Sequence, residues 1–308
     1  MSSVTVIVPA RDAAATIEAT LRALEAQTES AEVIVVDNGS DDDTAQLARS
    51  SPVDPTVIEL PRGAGPGRAR NEGARAASGE LLAFTDADCE PEPGWVRAGI
   101  ERAAGADLIQ GRVRPAAPRG PFDRTVDVGV ETTLYETANL FVTKEAFERA
   151  GGFGQFSAPR EAPFGEDVVF GWRCRRAGSR AVFAPEAVVR HAVFARGPWG
   201  YVRERWRRRH FPALVREVPE LRRTFLYRRF FLNTRSAAAD LAVVAIAAAV
   251  AVSPFAALGA VPYAVSVGAA ALRWRRRAPI VALVEPVADA VGLVAVLVGS
   301  ARSRTVVL

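Results

Sequence analysis

The sequence predicts an α/β fold, a mostly parallel sheet flanked by helices, followed by an apolar helical segment at the C-terminal end. Three observations carry that reading. Apolar runs of five to seven residues, rich in β-branched side chains, alternate with helix-periodic stretches through the first half of the chain. The stretches between those runs are long enough to cross over between parallel strands. Past Arg235 charge almost disappears, and residues 237–272 hold one charged side chain, Asp240.

The elements follow in order. VTVIVPA (4–10) is a buried strand, and TIEATLRALEAQ (16–27) is a helix placing Ile17, Leu21 and Leu24 on one face. EVIVVDN (32–38) is the second strand, and SDDDTAQLARS is a helix with Ser40 or Asp41 as N-cap. TVIEL (56–60), a helix over 67–78 and the strand ELLAFTD (80–86) continue the alternation. DLIQGRVRP (107–115) reads as a strand and 116–133 as loop. ANLFVTKEAFERAGGF (138–153) reads as a strand, a helix and a glycine turn, and GEDVVFGWRCRRAG (165–178) as a helix. RAVFAPEAVVRH (180–191) reads as two short strands. Ligands of parallel sheets sit beyond the carboxyl ends of the strands, so Asp37 and Asp86 are expected to share a crevice.

Charge divides the chain into three parts. Residues 1–195 carry 29 acidic against 21 basic side chains; residues 196–235 carry 12 Arg against Glu204, Glu217 and Glu220; residues 236–308 carry 6 Arg against Asp240, Glu285 and Asp289. The expected organisation is a catalytic domain over 1–195, a basic membrane-proximal collar over 196–235 and an apolar helical tail over 236–308. A basic collar beside an apolar tail suits a membrane surface better than nucleic acid. The 237–272 run is long for one span and short for two. A hairpin turning at Ser253-Pro254 keeps the arginines of 196–235 and 273–277 on one side, as the positive-inside rule prefers. The last apolar stretch, 278–300, is then expected to lie in the interface or pack on the hairpin. Cys89 and Cys174 make no disulfide framework and no structural zinc site. The N-terminal residues lack the basic and apolar regions of an export signal, so none is expected.

The strand ELLAFTD runs into Asp86-Ala87-Asp88. Two carboxylates at i and i+2 leaving a strand can converge on a hard cation, Mg²⁺ or Mn²⁺, with phosphate oxygens completing the shell. GAGPGRARNEG (63–73) combines glycines that admit a ligand with the anion-binding forks of Arg68 and Arg70. Glu166 and Asp167 open a helix, where the dipole alone would explain them; the functional alternative is a base that deprotonates an incoming hydroxyl. His191 ends a strand, where it can complete a metal shell or serve as a surface residue.

Taken in order, VIVPARDAAATIEATLRAL, EVIVVDNGSDDDT, GRARNEGARAASGELLAFTDADCEP, ANLFVTKEAFERAGGF and GEDVVFGWRCRRAG resemble the family 2 glycosyltransferases of GT-A fold over roughly residues 3–195. The resemblance implies inverting transfer of a sugar from a nucleotide diphosphate donor, of UDP- or GDP-sugar type, with Mg²⁺ or Mn²⁺. Pro9, Ala10, Arg11 and Asp12 match the strand-end segment at the nucleoside, and Asp37 the aspartate on base or ribose. Arg70 and Asn71 match the pair near base and donor phosphates. Asp86 matches the first aspartate of the DXD pair, on ribose or sugar, and Asp88 the second, on the metal. Ala138 and Asn139 match the segment near donor sugar and acceptor, and Asp167 the catalytic base, with Glu166 beside it. Ala10-Arg11-Asp12 stands where many members carry an Asn-Glu pair. The Gln-x-x-Arg-Trp motif of processive synthases is missing, so transfer of a single sugar is expected. The acceptor is expected to be lipid-linked or membrane-presented, with the active site on the cytoplasmic face. The alternatives are a sugar nucleotidyltransferase, disfavoured by the glycine-free loop after the first strand, and a non-catalytic membrane-associated nucleotide-sugar-binding protein.

Overall fold

The structure is a computed structural model and describes residues 3–154 and 164–308. It divides into two compact units, residues 1–118 with 125–194 and residues 119–124 with 195–308. The collar and the apolar tail thus fall into one unit.

The first unit is built on an eight-stranded sheet. Its strands are β1 (Val4–Ala10), β2 (Glu32–Asp37), β3 (Thr56–Glu59), β4 (Leu81–Phe84), β5 (Cys89–Pro91), β6 (Leu108–Pro115), β7 (Leu140–Thr143) and β8 (Ala181–His191). The order is β3-β2-β1-β4-β7-β6-β8-β5. Pairing is parallel from β3 through β4 and between β6 and β8; β7 is antiparallel to both neighbours and β5 to β8, so the sheet is mixed. β1, β2 and β4 are almost wholly buried, as continuous apolar runs under helices on both faces must be. The helices of this unit are α1 (Ile17–Glu25), α2 (Thr44–Arg49), α3 (Pro66–Ala76), α4 (Trp95–Ala103), α5 (Lys144–Ala150) and α6 (Glu166–Arg176).

Two local expectations are corrected. Residues 180–191 form one strand, not two. Ala184 pairs with Gly111 and Val188 with Arg112, so 185–187 bulge out with Pro185 and Glu186 exposed. Neither Ser40 nor Asp41 caps α2, whose N-cap is Asp43. The Ser40 hydroxyl instead accepts the Asp12 N–H at 2.9 Å and donates to Asp37, tying the ends of β1 and β2 together.

The second unit contains α7 (Pro198–Glu204), α8 (Phe211–Glu217), α9 (Leu221–Thr224), α10 (Thr234–Ala251), α11 (Val261–Leu272) and α12 (Ala278–Ser303). Three helical stretches are long and apolar enough to cross a membrane: Thr234–Ala251, Pro254–Leu272 and Arg275–Ser303. The first two meet at the expected Ser253-Pro254 turn. The third differs from them in burial, with 33% of its apolar 18-residue window inside the fold against 11% for each of the others. One face of α12, comprising Val281, Glu285, Ala288, Gly292, Ala295, Val296, Gly299 and Ser303, is covered by the collar. The Tyr201 hydroxyl donates to Glu285 at 3.1 Å, the Arg208 side chain crosses Gly292, and the Arg209 carbonyl lies on Gly299. Arg216 and Arg222 donate to the carbonyls of Ser303 (3.4 Å) and Val306 (2.9 Å). Glu285 and Asp289 are tolerated in this apolar helix because Arg235 pairs with both at 2.8 Å and the Tyr263 hydroxyl donates to Asp289 at 3.0 Å.

Candidate active site

The carboxyl ends of β2, β1 and β4 lie side by side in the sheet, with Ala10 the register partner of Asp37 and Ile7 that of Phe84. β1 delivers Pro9 and Ala10, and the Ala10 carbonyl accepts the Asn38 N–H at 2.8 Å. Arg11 and Asp12 follow and are exposed; the Asp12 carboxylate accepts the Asp41 N–H at 2.9 Å. Asp37 is buried, and Ser40 donates to both of its oxygens, through the hydroxyl and through the backbone N–H at 3.3 Å.

Arg68 and Arg70 lie on the first turns of α3 but do not act as a pair. Arg68 is exposed, 3.7 Å from Glu72 on its own helix. Arg70 is turned inward, its side chain 6% exposed, and its guanidinium stands over the ring of Phe153. It holds Asp86 at 3.0 Å and Glu166 at 3.3 Å. The strand end after β4 and the start of α6 are thereby joined through one cation.

Glu166 and Asp167 occupy the first turn of α6. The helix starts at Gly165, whose φ of 75° is a left-handed conformation that glycine adopts without strain. A helix N-terminus favours a carboxylate by about 0.3–1 kcal/mol. Here that effect loses. Burial, with Glu166 and Glu136 nearby, pushes the Asp167 carboxyl up to about 7, against the opposing pull of the Val168 N–H and Arg70. Part of the residue's surface nevertheless remains open to solvent. Glu136 is itself raised by burial and accepts from the Thr132 hydroxyl at 3.1 Å. The sequence reading missed this third carboxylate. It lies in a loop without periodicity, and its place depends on Tyr135 and Trp172 packing edge to face beside α6.

Asp88 and His191 form a second focus. His191 Nε2 lies 3.6 Å from Asp88 Oδ1, and the imidazole is almost fully buried. Its Nδ1 is 2.7 Å from the Ala192 carbonyl, so Nδ1 carries the proton and donates. Nε2 then faces a carboxylate oxygen. A carboxylate and an imidazole nitrogen at this separation are a donor set that suits a divalent cation, so these residues fit the metal that the family resemblance implies.

Two residues expected near the ligand are engaged within the fold. Asn139 is 0% exposed: its Oδ1 accepts the Trp95 indole N–H at 2.8 Å, and its Nδ2 donates to the carbonyls of Arg112 and Ala187, each at 2.8 Å. A side chain at Gly111 would lie 2.3 Å from this amide, so the packing leaves no room for a ligand. Asn139 is a cross-link in the core, and Ala138 beside it is buried, its carbonyl accepting from the Thr85 hydroxyl at 3.0 Å. Asn71 likewise turns to backbone, exchanging hydrogen bonds of 2.8 Å with the N–H and carbonyl of Phe153. It holds the ring on which Arg70 rests.

The family model of Glycosyl transferase family 2 matches residues 5–156. Glycosyltransferase AglE of Haloferax volcanii is 32% identical over 206 residues, which cover 61% of this chain and 66% of that protein. A pre-mycofactocin glycosyltransferase of Mycobacterium tuberculosis is 29% identical over 212 residues, 61% of this chain and 42% of that protein. The match thus spans just under two thirds of the first relative and less than half of the second. Among solved structures, the mannosyltransferase PcManGT of Pyrobaculum calidifontis, in complex with GDP-Man and Mn²⁺, superposes with a TM-score of 0.59 at 23% identity, covering 98% of this chain and 87% of that one. A sheet with acidic strand ends, a family model matched over residues 5–156 and similarity to known glycosyltransferases lead to one assignment: the chain belongs to glycosyl transferase family 2 and has a GT-A fold.

Proposed function

We propose that the protein transfers a single sugar, with inversion, from a nucleotide diphosphate sugar to a hydroxyl of a lipid-linked or otherwise membrane-presented acceptor. The observation that carries this reading is the Asp167 carboxyl, raised to about 7 beside the Arg70-linked pair Asp86 and Glu166. A base with that proton affinity is matched to neutral pH. Asp167 takes the acceptor hydroxyl proton as the acceptor oxygen bonds to the anomeric carbon. The bond from that carbon to the diphosphate oxygen breaks, and its electron pair leaves with the nucleotide. Arg70 keeps Glu166 and Asp86 fixed and offsets their charge while Asp167 ionises. Asp86 orients the nucleotide sugar, and the β1 and β2 ends bearing Pro9, Ala10, Arg11, Asp12 and Asp37 receive the nucleoside. Asp88 and His191 would hold a divalent cation, Mg²⁺ or Mn²⁺, which when bound would neutralise charge on the diphosphate. The Pyrobaculum neighbour, with GDP-Man and Mn²⁺, supports both the donor class and the cation.

The protein is further proposed to be membrane-associated, with α10 and α11 as a hairpin and the active site on the cytoplasmic face. α12 is read as an interfacial helix. Its contacts with the collar run from Glu285 to Ser303, about 27 Å at 1.5 Å per residue. An arginine-rich segment cannot follow it across a hydrocarbon core of similar thickness.

The test is a melting panel of the full chain in detergent, with nucleotide sugars and Mn²⁺, followed by product analysis. The true donor at about 100 times its dissociation constant stabilises by roughly 2.7 kcal/mol. Nucleoside diphosphate should then be released. Pyrophosphate chemistry would identify a nucleotidyltransferase, and binding without turnover a non-catalytic binder.

A further inference from the structure

Cys89 follows the metal-facing Asp88 directly and is wholly buried. It starts β5, which pairs antiparallel with β8, and its register partner is His191. Directly opposed residues of an antiparallel pair project from the same face of the sheet. The two side chains therefore stand together, and the ligand atoms of Asp88, Cys89 and His191 all lie within 4.8 Å of one another. Cys89 Sγ is 3.8 Å from the same Asp88 oxygen that His191 Nε2 approaches at 3.6 Å. A thiol in a core needs no carboxylate and no imidazole, and His191 Nε2 is the ring nitrogen turned toward them while Nδ1 is engaged with the Ala192 carbonyl.

We propose that Cys89 is a third cation ligand of this site, giving it an oxygen, a nitrogen and a sulfur and hence a preference for borderline cations such as Zn²⁺ and Co²⁺. The inference rests on the reading of Asp88 and His191 as the metal site and goes beyond it. Mg²⁺ takes oxygen ligands and gains little from sulfur. Zn²⁺ is held by just this mixture of donors, tetrahedrally, and Co²⁺ accepts the same set. On binding, the S–H bond breaks, its electron pair goes to the cation and the proton passes to solvent.

The experiment uses the full chain in detergent, without nucleotide, titrated with Co²⁺ and followed by absorption. The wild type should show the near-ultraviolet thiolate-to-Co²⁺ charge-transfer band, displaced by Zn²⁺. Cys174→Ser should keep the band, since the other cysteine sits on α6. Cys89→Ser should lose it and lower the Zn²⁺-over-Mn²⁺ affinity ratio by about tenfold or more, because the oxygen and nitrogen ligands that serve Mn²⁺ remain. Because the side chain is buried, the zinc-loaded wild type provides a reading independent of any variant: its X-ray absorption should contain one sulfur at about 2.3 Å. Co²⁺ or Zn²⁺ bound without a sulfur signature overturns the inference and leaves the Asp88–His191 site standing. Failure to bind any of the three cations overturns both.

Discussion

Arg70 holds Glu166 at 3.3 Å across 96 residues of sequence while its other terminal nitrogen holds Asp86 at 3.0 Å. A single buried guanidinium thus connects the strand end expected at the donor to the helix start expected at the acceptor. The planar fork reaches both carboxylates; an ammonium at the end of a flexible stem would serve as one point charge. Arg70→Gln should therefore cost about 3 kcal/mol, the low end for a broken buried pair since Asp86 is partly exposed. It should also move the activity midpoint to higher pH, because Arg70, with the Val168 N–H, lowers the proton affinity of Asp167. Melting curves and a pH series of kcat/KM check the two effects separately, and an unmoved midpoint would detach Arg70 from the base.

Asp167 makes a prediction with a definite sign. Its carboxyl rises from 3.8 to about 7 on folding, so the folded state binds a proton that the unfolded state has released. Stability should fall as pH rises from about 4 to 7 and level off above, where both states are ionised. Activity should run the opposite way, rising with one-proton dependence to a plateau above about 7. Asp167→Asn should erase the stability slope, lower turnover by roughly 10²–10⁴-fold and leave donor binding in place. Turnover near that of the wild type would remove Asp167 from the mechanism.

Glu136 is predicted from the structure alone. Its charge is among those raising Asp167, so Glu136→Gln should shift the activity midpoint to lower pH, opposite to Arg70→Gln. A change in turnover with no movement of the midpoint would mean that Glu136 acts in some other way.

These residues also mark what can be read from a sequence. The strands were legible because β4 and its neighbours are buried on both faces, which demands continuous apolar runs. Asp86, Asp88 and Glu166-Asp167 were legible only through the ordered motifs around them, since an acidic helix start or a lone Asp-x-Asp is common without a task. Asn139 and Asn71 were not: an amide looks the same whether its partners are backbone carbonyls or a ligand. Cys89 depended on register, since only the pairing of β5 with β8 puts it beside His191. The burial of α12 was equally hidden, because apart from Glu285 and Asp289 its residues 278–301 are apolar or small all round.

The Asn139 correction can be tested against the role expected from its motif. Asn139→Ala leaves the Trp95 N–H and the carbonyls of Arg112 and Ala187 without their partner. At about 1–3 kcal/mol for each orphaned buried group, a loss of roughly 3 kcal/mol is expected, or about 6–12 °C in Tm. A residue that touched donor or acceptor would instead raise KM at constant Tm, so the two readings part in one pair of measurements.

The interfacial reading of α12 is decided by sidedness. The Leu232 N–H donates to the Leu308 carbonyl at 2.9 Å and the Leu308 N–H to the Phe230 carbonyl at 2.7 Å, so the chain end is tied back to the collar. If α10 and α11 cross and return, and α12 lies flat, then collar and C-terminus share one side. If α12 crosses, they are separated by the bilayer, and these bonds together with those from Arg216 and Arg222 must break. Single cysteines replacing Arg203 and Thr305, on a background of Cys89→Ala and Cys174→Ala, should react with an impermeant maleimide from the same face of sealed vesicles. Labelling from opposite faces would make α12 a third span and remove the reason for placing the collar along it. Replacing Gly299 by Leu gives an independent check: a side chain there meets the Arg209 carbonyl at 2.1 Å, so it should loosen the C-terminus in a flat helix and have little effect in a lipid-facing one.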